Sequence, residues 1–177
     1  MSSWGTTDVP ASKPRFLTDA EKLNCAANES GWTVPAGGNN NPNADRETLV
    51  AIGELASALA IAEIKSFNFS PSALSAADTA LSVYVNYNET VILDVTGGAP
   101  TLNVTNGGEV IVLTYVSGSR SNRLVFSNSA ITVVAADVLT IGANSIVMPE
   151  NSALAGSDGG VAEITHVAPA NTITVAA

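Results

Sequence analysis

Few side chains in this sequence could do covalent or acid–base chemistry. There is one histidine, His166, and one cysteine, Cys25. General acid–base catalysis needs a titratable group matched to a partner, and nucleophilic catalysis needs an activated one. His166 stands in the alternating run VAEITHV, on the same face as Ala162 and Ile164, which is the setting of an ordinary sheet histidine. Cys25 falls in a segment that reads as helix, where a small buried apolar side chain is the default and nothing marks a reactive thiol. One histidine cannot build a His-rich zinc site, and one cysteine cannot close an internal disulfide. Carboxylates number 16 in 177 residues, so chance pairs are expected and sequence separation identifies no glycosidase pair. Asp78, Glu89, Asp137, Glu150 and Asp158 fall near strand ends, where oxygen-rich loops can hold calcium. None has D-x-D-x-D spacing, and all five read as solvated loop acids. The double glycines beginning at 97, 107 and 159 lack the G-x-G-x-x-G pattern and read as hairpin turns. The N-x-[ST] triplets at Asn28, Asn68, Asn88 and Asn103 carry no weight in an Asn- and Thr-rich chain. No catalytic residue, metal or cofactor is assigned, and the chain reads as a non-enzyme.

Composition narrows the class of partner. Hydrophobic residues make up 46% of the chain but aromatics only 5% and charged residues 13%, a balance that excludes a wholly disordered protein and favours β-structure with small-residue turns. The formal net charge of -9 would repel phosphate backbones and anionic lipid headgroups, so neither nucleic acid nor membrane is expected as a partner. The first residues, MSSWGTTDVPASKPRF, contain no apolar run of secretory-signal length, and the chain is read as made in the cytoplasm. The apolar stretch from Leu49 to Ile64 is broken by Glu54 and Glu63, which excludes it as a spanning helix.

Residue usage changes near position 62. Five of the seven basic groups (Lys13, Arg15, Lys22, Arg46, Lys65) and both tryptophans precede residue 66. They surround the run PAGGNNNPN at 35 to 43, which has almost no surface to bury. Residues 1–61 therefore read as an extended N-terminal arm, and residues 62–177 as the folded domain. Within the arm, Thr18 followed three residues later by Glu21 is a capping-box pattern, predicting a short helix over about 19–28. From Arg46 to residue 61 the apolar spacing suits either a helix or a strand. Trp4, Phe16 and Trp32, separated by Pro and Gly, suit either anchors laid along a partner or rings folded back on their own domain.

Beyond residue 62 the hydrophobic period becomes two. In TALSVYVNY, Leu81, Val83, Val85 and Tyr87 share one face. EVIVLTYV, 109 to 116, is apolar on both faces, as expected of a buried central strand. Further strands fit at about 62–69, 90–96, 100–105, 123–127, 138–142, 144–148, 161–167 and 171–176, separated by glycine-bearing turns. Many short strands at this spacing predict an antiparallel β-sandwich, with a barrel as second choice.

Several short motifs agree in order with a known class. Glu89-Thr90-Val91, then PTLNVTNGG at 100 to 108, Tyr115 to Ser119 in the form Y-x-S-G-S, Leu124 to Phe126 as L-x-F, and LTIGANSIVM at 139 to 148 resemble the immunoglobulin-like repeats of bacterial surface and phage structural proteins. The usual G-G-T-I-x-D-x-A-G-N ending is replaced here by ENSALAGSDGG. In the arm, WGTTD, KPRFLTDAEK, Gly31-Trp32 and RETLVA are similar to the start of small virion structural proteins of marine tailed phages. The resemblance implies an immunoglobulin-like β-sandwich displayed outward on the virion surface and an arm that docks on the shell. Its implied partners are the major capsid protein and neighbouring copies of the chain, as a homo-oligomer in the virion, with a weak host-surface glycan contact besides. Trp4, Lys13, Arg15, Phe16, Leu17 and Trp32 are the expected partner-binding residues. A capsid decoration protein that stabilises the shell is the leading reading; the alternatives are a tail or neck component, or a carbohydrate-binding or adhesion module.

Overall fold

The alternation that begins at Leu81 is not interrupted where the sequence suggests a break. A single strand runs for 14 residues, LSVYVNYNETVILD, and the molecule is organised around it. The computed structural model describes residues 12 to 35, 43, 45 to 59, 61 to 142, 146 to 165 and 171 to 177. Their elements, in chain order, are α1 (Asp19–Asn24), β1 (Ala26–Asn28), β2 (Gly31–Val34), β3 (Glu47–Ala51), α2 (Leu55–Ala58), β4 (Ile64–Ser70), β5 (Leu74–Ser75), β6 (Leu81–Asp94), β7 (Thr101–Asn106), β8 (Glu109–Ser117), β9 (Ser121–Asn128), β10 (Val138–Ile141), β11 (Ile146–Val147), β12 (Ala153–Gly156) and β13 (Asn171–Ala176). The chain is mainly β, and its strands join through backbone pairing into one open sheet. The path is β3-β2-β1-β6-β9-β8-β7-β10-β13-β5, with β4 and β12 also on β6 and β11 on β7.

Strand β6 is long because four neighbours use its two edges. Antiparallel β4 pairs along Ser82 to Tyr87 and β12 along Val91 to Asp94, while β9 runs antiparallel from Leu81 to Asn86 and meets β6 again at Val91. In the gap left by that shift of register, β1 makes its parallel contact, Ala27 beside Glu89. Burial follows the pairing. Residues 81 to 84 alternate, residues 85 to 91 are buried on both faces, and alternation resumes to Asp94. The two strands expected at 79–87 and 90–96 are thus one, and Glu89, expected as a solvated loop acid, lies wholly buried within it.

One face of the sheet holds the main core. Leu81, Val83, Val85 and Tyr87 of β6 meet Leu102 and Val104 of β7, Leu113 of β8, Phe126 of β9 and Ile141 of β10 in one buried cluster. Burying each such side chain is worth about 1.5–3 kcal/mol. A second, smaller cluster joins Cys25, Ala27, Trp32 and Leu55, and it lies in the segment expected to be an extended arm. From Ser12 to Val34 and from Glu47 to Ala58 that segment is folded, with β2 held between β1 and β3. The ambiguous stretch after Arg46 contains both structures at once, strand β3 and then one turn of helix, α2, with Glu54 between them in the left-handed region at φ 58°.

Strand β8 departs from expectation. Its apolar residues on both faces predict burial, yet only Leu113 is buried, while Val110, Val112 and Val116 are exposed. A β-branched run has high strand propensity whether or not a second layer covers it. Strands β1, β2, β5 and β12 were not legible, being two to four residues long.

The turn from β8 to β9 depends on Gly118, at φ 113°, where an added Cβ would overlap the carbonyl of Arg123. Tyr115 supports this turn, its hydroxyl accepting from the Ser119 amide at 2.9 Å. Gly118→Ala should destabilise the protein by about 2 kcal/mol or more, read as a lowered midpoint in urea unfolding; an unchanged midpoint would refute this packing.

Candidate functional site

The expected partner-binding residues surround helix α1, and its local chemistry decides which of them reach solvent. Thr18 is the N-cap: its hydroxyl accepts from the Glu21 amide at 3.3 Å, and Glu21 accepts in return from the Thr18 amide at 2.8 Å. These bonds hold the Glu21 carboxyl below its ordinary pKa of 4.5. The helix stops at Asn24, short of the expected 28, because Cys25 is extended and Ala26–Asn28 pair with β2. Lys13 closes its other end. Its ammonium donates to the carbonyls of Lys22 at 3.1 Å and Cys25 at 3.2 Å, and lies 5.5 Å from the centre of the Trp32 ring. A cation at a helix C-terminus and over an indole is favoured on both counts.

The six residues therefore separate. Trp4 lies outside the described residues. Lys13 and Trp32 are buried, at 7% and 1% exposure, and hold the fold together in this conformation, so the exposed-anchor expectation is corrected for both. The indole is the centre of the second core, and the lysine is consumed by carbonyls it caps. Leu17 is half-buried against the same cluster. Phe16 and Arg15 face outward, Phe16 with 70% of its surface exposed. With Pro14 and Val50 they line an apolar groove of about 430 Å³. The adjoining strand β3 pairs with β2 alone among the described residues, leaving an open sheet edge.

A polar seam fixes this N-terminal layer against the sheet. Arg123 of β9 reaches Asn86 of β6 through Nε at 2.8 Å and Asn24 of α1 through a terminal nitrogen, and its guanidinium stacks 5.2 Å from the Tyr84 ring centre. Burial lowers the guanidinium's pKa, and the neighbouring Tyr84 acts in the opposite direction. Asn122 donates to the Asn24 carbonyl at 3.3 Å. Asn86, Asn88, Glu89, Thr90 and Asn122 are all buried here. Gly156 is required beside Glu89, because a Cβ would come within 2.5 Å of its carboxylate oxygen.

The turn acids are clips. Asp78 accepts from the Ser75 amide at 2.7 Å, Asp137 from the Val134 amide at 2.9 Å, Asp158 from the Gly160 amide at 2.7 Å, and Asp94 from the Thr96 amide at 2.9 Å. Among the described residues no three His, Cys, Asp or Glu side chains stand close enough to hold a metal ion. His166 lies outside the described residues. No helix among them is long and apolar enough to cross a membrane.

A second surface is the outer face of the sheet. The register places Thr140 beside Thr105, Thr105 beside Val110, Asn103 beside Val112, and Thr101 beside both Thr114 and Val147. These positions of β7, β8, β10 and β11 carry hydroxyls, amides and exposed valines and no charge. The valines follow the apolar pattern of core residues, so residue order alone does not disclose an exposed face. Comparison with family models, with curated proteins and with solved structures finds no match for this chain.

Two outcomes follow. Trp32→Ala should cost about 3–5 kcal/mol and Phe16→Ser under about 0.5 kcal/mol in denaturant unfolding; equal effects would contradict the division between buried and exposed residues. The bonds that lower Glu21 from 4.5, and those from Thr96 that lower Asp94 from 3.8, stabilise the folded form. Their contributions are complete above those values and are lost as pH falls through the depressed folded ones. Side-chain carboxyl titration by NMR should place both midpoints below 4.5 and 3.8 respectively, and midpoints at or above them would remove the cap and the clip.

Proposed function

We propose that this chain is a virion structural protein, a capsid decoration protein of a tailed phage, that docks on the major capsid protein through the Arg15–Phe16–Leu17 segment. The observation that carries this reading is Phe16, 70% exposed beside an apolar groove. The backbone on either side of that ring is already held, by Lys13 before it and by the Thr18–Glu21 cap after it. A pre-ordered aromatic ring gains about 1.5–3 kcal/mol when a partner covers it, with little ordering cost to offset the gain. The sequence resemblance described above supports the virion setting. In this reading the domain after residue 62 is an immunoglobulin-like sandwich displayed outward, the role is mechanical and non-catalytic, and docking uses a folded N-terminal layer where an extended arm was expected. The uncharged Val and Thr face suits contact with neighbouring copies, because two chains of net charge -9 meet most easily where neither carries charge.

The full-length chain and its Phe16→Ser variant, added to tailed-phage capsids lacking the protein and counted by cryo-electron microscopy, test the reading. Saturable symmetric occupancy is expected, with the variant binding about ten-fold or more weakly. Density on the tail alone, or no binding by the unaltered chain, overturns decoration.

A further inference from the structure

Two of the seven basic groups in this acidic chain meet at one groove. It opens where the N-terminal layer joins the sheet and has a volume of about 380 Å³. Five separate chain segments build it: the β1–β2 turn (Asn28, Glu29, Ser30), Arg46 ahead of β3, Thr90 and Ile92 of β6, the β8–β9 turn residue Arg120, and Ser157 after β12. Arg46 donates to the backbone carbonyl of Arg120 at 2.6 Å, which holds its guanidinium against the turn. Arg120 is placed by a left-handed backbone, φ 67°, and by its amide, which donates to the Val91 carbonyl at 2.7 Å. Neither guanidinium pairs with a carboxylate among the described residues. In the groove wall the Ser157 hydroxyl is buried with no hydrogen-bond partner, although its backbone amide is held by the Thr90 carbonyl at 2.8 Å.

The buried, unpartnered Ser157 hydroxyl is costly unless something accepts from it, and the two guanidiniums at the same groove repel each other until an anion lies between them. We infer that this groove binds a carboxylate, gripped by Arg46 and Arg120 and accepting from Ser157. The planar fork of a guanidinium matches the two oxygens of a carboxylate or the oxygens of a phosphate. Charge decides between them. Two arginines less Glu29 leave one formal positive charge in the lining of the groove, in a chain of -9 overall, which a monoanion balances and a dianion exceeds. Among the described residues no aromatic ring lines the groove, which leaves a nucleobase nothing there to stack on. Ile92, 41% exposed, supplies a small apolar wall for the carbon attached to the carboxylate. The carboxylate can be free in a small molecule or carried by an aspartate in a partner's acidic segment, and the chemistry of capture is the same.

The test uses the full chain, isotope-labelled, titrated separately with butyrate, with acetyl-Gly-Asp-Gly-amide, with the Asn counterpart of that peptide, and with inorganic phosphate. The amide signals of Arg46, Arg120 and Ser157 should shift saturably with butyrate, with the Asp peptide, or with both, and which of the two binds tighter identifies the source. The Asn peptide should bind about ten-fold or more weakly, and Arg46→Gln and Arg120→Gln should each weaken binding about ten-fold. Glu29→Gln should tighten it. Both arginines are exposed, and unchanged signals from the main core in each variant report an intact fold. No shift with either carboxylate, phosphate binding tighter than both, or arginine variants that bind as the unaltered chain does, would each overturn the assignment.

Discussion

The constraint on which the structure depends is that β6 must satisfy its backbone on both edges over its whole length. Every buried amide and carbonyl left without a partner costs free energy comparable to a lost hydrogen bond. With β4 and β12 on one side and β9 and β1 on the other, no stretch of β6 is exposed for long. The point at which β9 slips out of register is the point at which β1 approaches. That exchange draws the N-terminal layer onto the sheet. It also explains why residues 85 to 91 are buried on both faces while the ends of the same strand alternate.

The interface so created is polar, unlike the core beneath it. Asn86, Asn88, Glu89, Thr90 and Asn122 are buried there, and the half-buried Arg123 spans from Asn24 to Asn86. Directional hydrogen bonds specify one register between the two layers, where an apolar contact would tolerate sliding. The N-terminal layer has its own small core around Trp32. The layer is therefore rigid enough to present Phe16 and Arg15 outward, and the same seam sets Arg46 against the Arg120 turn at the edge of the polar groove. Both candidate surfaces are consequences of one junction.

The outer face of β7, β8 and β10 is the converse case. It is well paired along its backbone and uncovered on its side chains. Val and Thr there satisfy strand propensity without burial. Charged residues are sparse along these strands, while the acids at their turns are occupied in holding backbone amides. Turn geometry thus gives a structural role to carboxylates that read from sequence as solvated loop acids.

Period-two alternation, turn glycines and a capping box are local patterns, and for that reason the β-rich class, the strands near 64 to 70, 101 to 106, 121 to 128 and 171 to 176, and the Thr18–Glu21 pairing could be read from residue order. What residue order could not carry was any statement about which face would be covered. The valines of β8 and the tryptophan at 32 are both apolar, yet one group is exposed and the other enclosed, because coverage depends on which distant segment arrives. The short strands β1, β2, β5 and β12 hold no period of their own and exist through pairing with neighbours far along the chain. Glu89, ordinary in sequence, is buried only because β1 and the β12 turn close over it. Sequence by itself determined the local conformational preferences and the sign of the charge; the tertiary structure alone decided the partners, since burial is a property of two surfaces and a sequence window contains only one.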